Sequence, residues 1–265
     1  MEPTRLAVAL VQSDWDMAHE LPFEWAPTLG LVGAALAAGV FLTLLLRGLS
    51  QVGRYRATRV LGERERAELA RAIGEAERRT TGEIAVVVLE RSDRHPAADW
   101  IAGGLTLLLG SALLAGWLPW DRPALFFACQ FGLGAAGFLA SRRVPGFKRA
   151  FISEARAEEM AREQALQEFF ALGLHRTRDA TGVLLFVSLL ERRVVVLGDR
   201  GIDAVVGAAE WQATDRAVLE GVRAGSLQRG LVAGVERVAE VLAEHFPDDG
   251  GRPGQLPDHV VVRAE

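Results

Sequence analysis

The sequence predicts an α/β domain held at a membrane by three apolar helices, one ahead of the domain and two inserted as a hairpin after its first strand. Three observations carry this. The runs Thr28–Leu46, Trp100–Leu118 and Ala124–Ser141 contain no Asp, Glu, Lys or Arg. At about 1.5 Å per residue, runs of about 18–19 residues span a hydrocarbon core near 30 Å. Outside them, β-branched strands alternate with amphipathic helices, and the basic residues gather on one side of the apolar runs.

The first 27 residues lack a basic n-region, and Leu6–Val11 is too brief for a signal peptide. Asp14, Asp16, Glu20 and Glu24 make them an acidic outer tail. Arg47, Arg54, Arg56 and Arg59 follow the first run, Arg91 and Arg94 precede the second, and Arg142, Arg143, Lys148 and Arg149 follow the third. The positive-inside rule puts all three clusters in the cytoplasm if the N-terminus is outside. Of 30 Lys+Arg, only Arg5 and Arg122 then lie outside. Trp25, Trp100, Trp117 and Trp120 sit at span ends, where amphipathic rings prefer the interface. The expectation is a multi-pass protein of the bacterial inner membrane with its soluble mass in the cytoplasm. The divisions are an outer tail (1–27), a first span (28–46), a hairpin of two spans (100–118 and 124–141), a domain in two parts (47–99 and 142–247) and a flexible tail (248–265).

Within the domain, Leu69, Ile73 and Ala76 recur at helical spacing in Leu61–Arg79. Thr80-Thr81-Gly82 ends that helix, and Glu83–Leu89 is a continuous β-branched run, the mark of a buried strand. The strand leads almost directly into the second span, and Pro119–Pro123 turns the chain back as the third. Ser153–Leu172 reads as a helix with Met160, Ala161, Ala165, Phe169 and Leu172 on one stripe. Gly182–Leu190 and Arg193–Gly198 are strands with only Glu191-Arg192 between them, an antiparallel hairpin. Two helices follow, Asp203–Arg223 and Ser226–Phe246, the second capped by Ser226 and stopped by Pro247. Asp248–Glu265 is rich in Gly, Pro and Asp.

The net charge of −4 offers no case for nucleic acid, and the single Cys129 excludes a disulfide framework. Gly132–Gly137 matches GxGxxG inside an apolar run, where small residues serve close helix packing rather than phosphate binding. Lys148 is the only lysine, so there is no P-loop, and Asp14-Trp-Asp16 lies in the outer tail with no fold around it. The five histidines are scattered without metal-ligand spacing, His175 reads as a turn residue, and Trp211 reads as a core anchor.

Topology places three polar turns at the sheet edge far from the membrane: TTGE (80–83), TRDATG (177–182) and GDRG (198–201). They bring Glu83, Asp179, Asp199 and Asp203 into one neighbourhood. Clustered carboxylates on loops suit a hard cation, Ca²⁺ or Mg²⁺, which could support phosphoester hydrolysis. The same residues are what turns and caps use anyway, and Arg178 and Arg200 are alternative partners for the acids.

The stretches EAERRTTGEIAVVV (75–88), FFALGLHRTRDATGVLLFVSLLERRVVVLGDRGI (169–202), Trp211, SLQRGLVAGVERVAEVLAEHFP (226–247) and QLPD (255–258) resemble the TPM-domain family in its bacterial membrane-protein branch. That family has Asn-Glu before Leu-Pro-Asp, where this chain has Gly254-Gln255. The resemblance implies an α/β/α sandwich. It leaves function open, since family members include proteins described as weak acid phosphatases, photosystem-repair factors and a receptor accessory protein, and some bind Ca²⁺. Two expectations follow: a membrane-tethered accessory module that docks a protein partner, and a weak Ca²⁺- or Mg²⁺-dependent phosphatase.

Overall fold

A computed structural model describes residues 26–117, 122–177, 179–248 and 259–263. Its long elements in chain order are α1 (Ala26–Ser50), α2 (Glu63–Glu77), β1 (Glu83–Leu89), α3 (Pro96–Trp117), α4 (Pro123–Arg143), α5 (Glu154–Ala171), β2 (Gly182–Ser188), β3 (Arg193–Gly198), α6 (Ala208–Arg223), α7 (Leu227–His245) and β4 (His259–Arg263). The sheet order is β3-β2-β1-β4. β1 runs parallel to β2, with Glu83 opposite Gly182, and parallel to β4, with Ala85 opposite His259. β2 and β3 form the expected antiparallel hairpin.

Alternation along the strands feeds two cores. Ile84, Val86, Val88, Val183, Leu185 and Val187 pack with Leu69 and Ile73 of α2 and with Leu231, Val235, Val238 and Leu242 of α7. Ala85, Val87, Leu184 and Phe186 face the other way, onto Ala161, Ala165 and Phe169 of α5. β1 and β2 are covered on both faces, which is why they read as unbroken apolar runs rather than alternating ones.

Two sequence expectations are corrected. The chain assigned to a flexible tail contains β4, whose Val260, Val261 and Val262 pair with β1. The helix expected over Asp203–Arg223 is broken into a short Arg200–Asp203 turn and α6, which begins after Gly207.

Both ends of the α3–α4 hairpin attach at the carboxyl edge of β1. Stretches Pro96–Ala115 and Pro123–Arg143 are long and apolar enough to cross a membrane, and only 28% and 17% of them is buried inside the protein. The core helix of a soluble domain would be mostly buried. α1 is a 25-residue helix, Ala26–Ser50, and among its described residues Ala38–Ser50 is an apolar helical stretch. Two glycines of the GxGxxG match serve helix packing: a Cβ on Gly137 would lie 2.1 Å from Thr106 Oγ1, and one on Gly134 3.1 Å from Leu107 Cβ, whereas one on Gly132 would meet nothing within 4 Å. Trp100 packs on Phe138 across the hairpin, centroids 4.9 Å apart.

Candidate functional sites

The three polar turns meet as topology requires, and backbone hydrogen bonds join them. Glu83 N donates to Thr181 O (3.2 Å), Asp199 N to Gly182 O (2.9 Å) and Gly201 N to Ala180 O (3.0 Å). Thr181 Oγ1 donates to Thr81 O at 3.3 Å. The glycines are demanded by this crowding. A Cβ on Gly201 would sit 2.5 Å from Asp179 O, and one on Gly182 2.5 Å from Leu174 O.

The carboxylates themselves disperse into separate jobs. Asp199 is buried and caps the short helix after β3, with Oδ1 accepting from Arg200 N at 2.7 Å. Its Oδ2 is buried with no hydrogen-bond partner among the described residues. Glu83 is buried at the head of β1, Asp179 is exposed on its turn, and each already holds contacts of its own. Asp203 is exposed and turns toward the β3 edge, where it lines a cleft with Trp211. Among the described residues no group of three or more His, Cys, Asp or Glu is placed to hold a metal ion. Arg178 and the QLPD segment lie outside the described residues.

That cleft, of about 710 Å³, was not legible in the sequence. Its floor is β3, the last strand of the sheet, and its walls include Arg162 of α5 and Trp211 and Asp215 of α6. Because Asp199 N bonds back to β2, alternation turns the backbone groups of Val194, Val196 and Gly198 away from the sheet. Arg192 and Arg193 stand at one end of the cleft, and Asp203 and Asp215 line it with Trp211. Burial pushes the Asp215 carboxyl up to about 6, and its Oδ1 is buried with no hydrogen-bond partner among the described residues. Trp211, expected as a core anchor, packs on the core and also lines the cleft.

At the opposite edge, where β1 and β2 end, lies a buried polar cluster. Glu191, in the β2–β3 turn, is fully buried. Its Oε1 lies 2.6 Å from His95 Nε2 and accepts from Ser92 N (3.1 Å) and Asp93 N (3.3 Å), while Oε2 accepts from Ser188 Oγ. Burial pushes the Glu191 carboxyl up, but hydrogen bonds from His95 and Ser188 outweigh it and hold the group below the usual carboxylate range. His95 adopts φ 46°, a left-handed conformation uncommon outside glycine, and the cluster holds it there. Beside it, Lys148 Nζ pairs with Asp99 at 3.1 Å and donates to Arg94 O at 2.6 Å, and Ser141 Oγ donates to Asp99 at 2.6 Å. These bonds fasten the hairpin to the domain.

A family model of the TPM domain matches residues 149–241. The match starts beyond the hairpin and so omits β1, which the insertion separates from the rest of the sheet. No curated protein matches the chain. A structural relative is the NMR structure of the BA42 protein from the psychrophilic bacterium Bizionia argentinensis, at 20% identity and TM-score 0.49, covering 77% of this chain and 95% of that one.

Proposed function

We propose that this chain, with its TPM domain at residues 149–241, is a multi-pass membrane protein whose domain is an accessory module binding an extended segment of a partner protein. The observation that carries this reading is the cleft along β3, whose outer edge pairs with no strand among the described residues and is flanked by two helices and lined by charges of both signs. Strand addition takes affinity from main-chain hydrogen bonds and specificity from alternate side chains. The charges favour a segment with acidic residues toward Arg192, which donates to the neutral Gln51 and Tyr55, and basic residues toward Asp203. The hairpin, with most of its apolar surface outside the protein, supports the tether. The arginine clusters support an N-terminus outside and a cytoplasmic domain, in a bacterial inner membrane.

Val196→Pro removes an outward N–H without touching the β2 ladder. A partner that co-purifies stoichiometrically in mild detergent is expected to be lost from this variant while thermal stability stays close to the parent. Retention of that partner by V196P, or no partner at all, would overturn the docking reading. For orientation, cysteines introduced at Ser13 and Asp121, which lie outside the described residues, are expected to label from outside intact cells. One at Ser226 is not, and its labelling would reverse the topology.

A second reading, a weak divalent-cation-dependent phosphatase, is favoured by one observation, the orphaned Asp199 Oδ2. Ca²⁺ takes six to eight oxygens, and the four carboxylates as placed do not form such a set, so no hydrolytic step is built on them. If a cation binds there, Ca²⁺ or Mg²⁺ at a hundredfold excess over Kd raises stability by about 2.7 kcal/mol. That gain should vanish in Asp179→Asn/Asp199→Asn. An unchanged melting temperature at millimolar metal, or a gain kept by the double variant, would end this reading.

A further inference from the structure

We propose that the loop after β1 forms a binding site for a phosphate anion, presented at the level of the lipid headgroups. In open α/β sheets ligands bind outside the carboxyl ends of the strands. The loop after β1 stands at that edge, where the chain leaves the sheet for the hairpin before returning through α5 to β2. A cavity of about 250 Å³ opens at the end of β1, lined by Leu89, Arg91, Ser92, Asp93, Arg94 and Gln164. It is smaller than the ~300–1,000 Å³ of drug-sized pockets, which suits a headgroup or a small anion.

The lining fits an anion. Arg91 and Arg94 bring two guanidinium groups of five N–H donors each to the wall, and both already hold contacts there. Ser92 Oγ is buried with no hydrogen-bond partner among the described residues, a donor awaiting an acceptor. Asp93 is the one acid on the wall. Its Oδ2 accepts from His95 N at 3.2 Å and lies 3.5 Å from His95 Nδ1 and 3.9 Å from Arg156. The loop is preorganised, since Glu191 Oε1 takes the N–H groups of Ser92 and Asp93. Two residues beyond Arg94 begins α3, which is long and apolar enough to cross a membrane. The phosphate could therefore come from a lipid or from solution. The assignment is independent of what occupies the β3 cleft.

The test uses the full chain in neutral detergent and in nanodiscs, read by thermal unfolding. Sodium phosphate against chloride at equal ionic strength probes the free anion. Phosphatidylglycerol against phosphatidylcholine nanodiscs probes the headgroup. A rise with both probes or with sodium phosphate alone supports a solution-accessible site, and a rise with phosphatidylglycerol alone supports a site filled by the lipid headgroup. Arg91→Gln/Arg94→Gln should abolish the rise, while Arg142→Gln/Arg143→Gln at the end of the third span should keep it. Ser92→Ala, which leaves charge and packing intact, should weaken binding by about two- to tenfold, the value of one hydrogen bond. No rise with either probe, or an equal rise in the parent, R91Q/R94Q and S92A, would overturn the proposal. So would a loss in R142Q/R143Q matching that in R91Q/R94Q, which would signal only diffuse attraction to the surface.

Discussion

Replacing Lys148 by Met destabilises the folded protein by about 3–5 kcal/mol, the usual cost of stranding one member of a buried ion pair. Lys148 and Asp99 each keep 9% of their side-chain surface exposed, so Asp99 would be left charged and dry. The lysine also caps Arg94 O, and Ser141 Oγ joins Asp99 to the far end of α4. One substitution therefore loosens the loop, the start of α3 and the end of α4 together. The companion variant Asp99→Asn/Lys148→Met removes both charges and should recover most of the loss, because desolvation of the pair offsets much of its attraction. Denaturant unfolding in mild detergent, arranged as a double-mutant cycle, reads the coupling directly. A loss under about 0.5 kcal/mol in K148M, the size of an ordinary surface change, would show that the pair does not fasten the hairpin.

Glu191→Ala carries the second large effect. One carboxylate serves His95, Ser188 Oγ and two backbone N–H groups, all in a buried setting. Each buried group left without a partner costs about 1–3 kcal/mol, so the summed loss is several kcal/mol even if water re-enters. The same residue confers an acid-side dependence. Its folded carboxyl is held below the 4.5 of an unperturbed glutamate. The linked stability is therefore complete above about pH 4.5 and is lost as pH falls through the lower folded value. Melting temperatures measured from neutral to acid pH should show this fall in the parent, and Glu191→Gln should flatten it. An unchanged acid limb in E191Q would assign the fall to other carboxylates.

Much of the fold was written in local pattern. Strands 83–89 and 193–198 carry β-branched runs bounded by turn residues, and they form at those bounds. Ser226 caps α7 as its position implied, accepting from Arg229 N at 3.2 Å, and Ser153 caps α5 in the same way, accepting from Arg156 N at 3.2 Å. β4 was missed because its few apolar residues follow a Gly- and Pro-rich stretch. Only the open side of β1 gives them a place in the sheet.

The sites were legible unevenly. The meeting of the three distal turns followed from connectivity alone, since parallel β1 and β2 must begin at one edge and the antiparallel β3 must end there. Where each carboxylate points did not follow, because capping and packing set those rotamers: Asp199 turned to its own helix and Asp203 to the β3 cleft. His95 and Glu191 are 96 positions apart, so no spacing rule could join them. An acid in a hairpin turn and a histidine before a proline each look ordinary alone.

By itself, then, the sequence determined most of the elements, the apolar helices and the edge at which polar turns collect, because periodicity and chain connectivity are local or combinatorial properties. The tertiary structure decided which polar atoms are buried, which are partnered and which open onto a cavity. Burial and hydrogen bonding arise only when segments remote in sequence exclude water from one another, as Glu191 and Ser92 do at the foot of the hairpin.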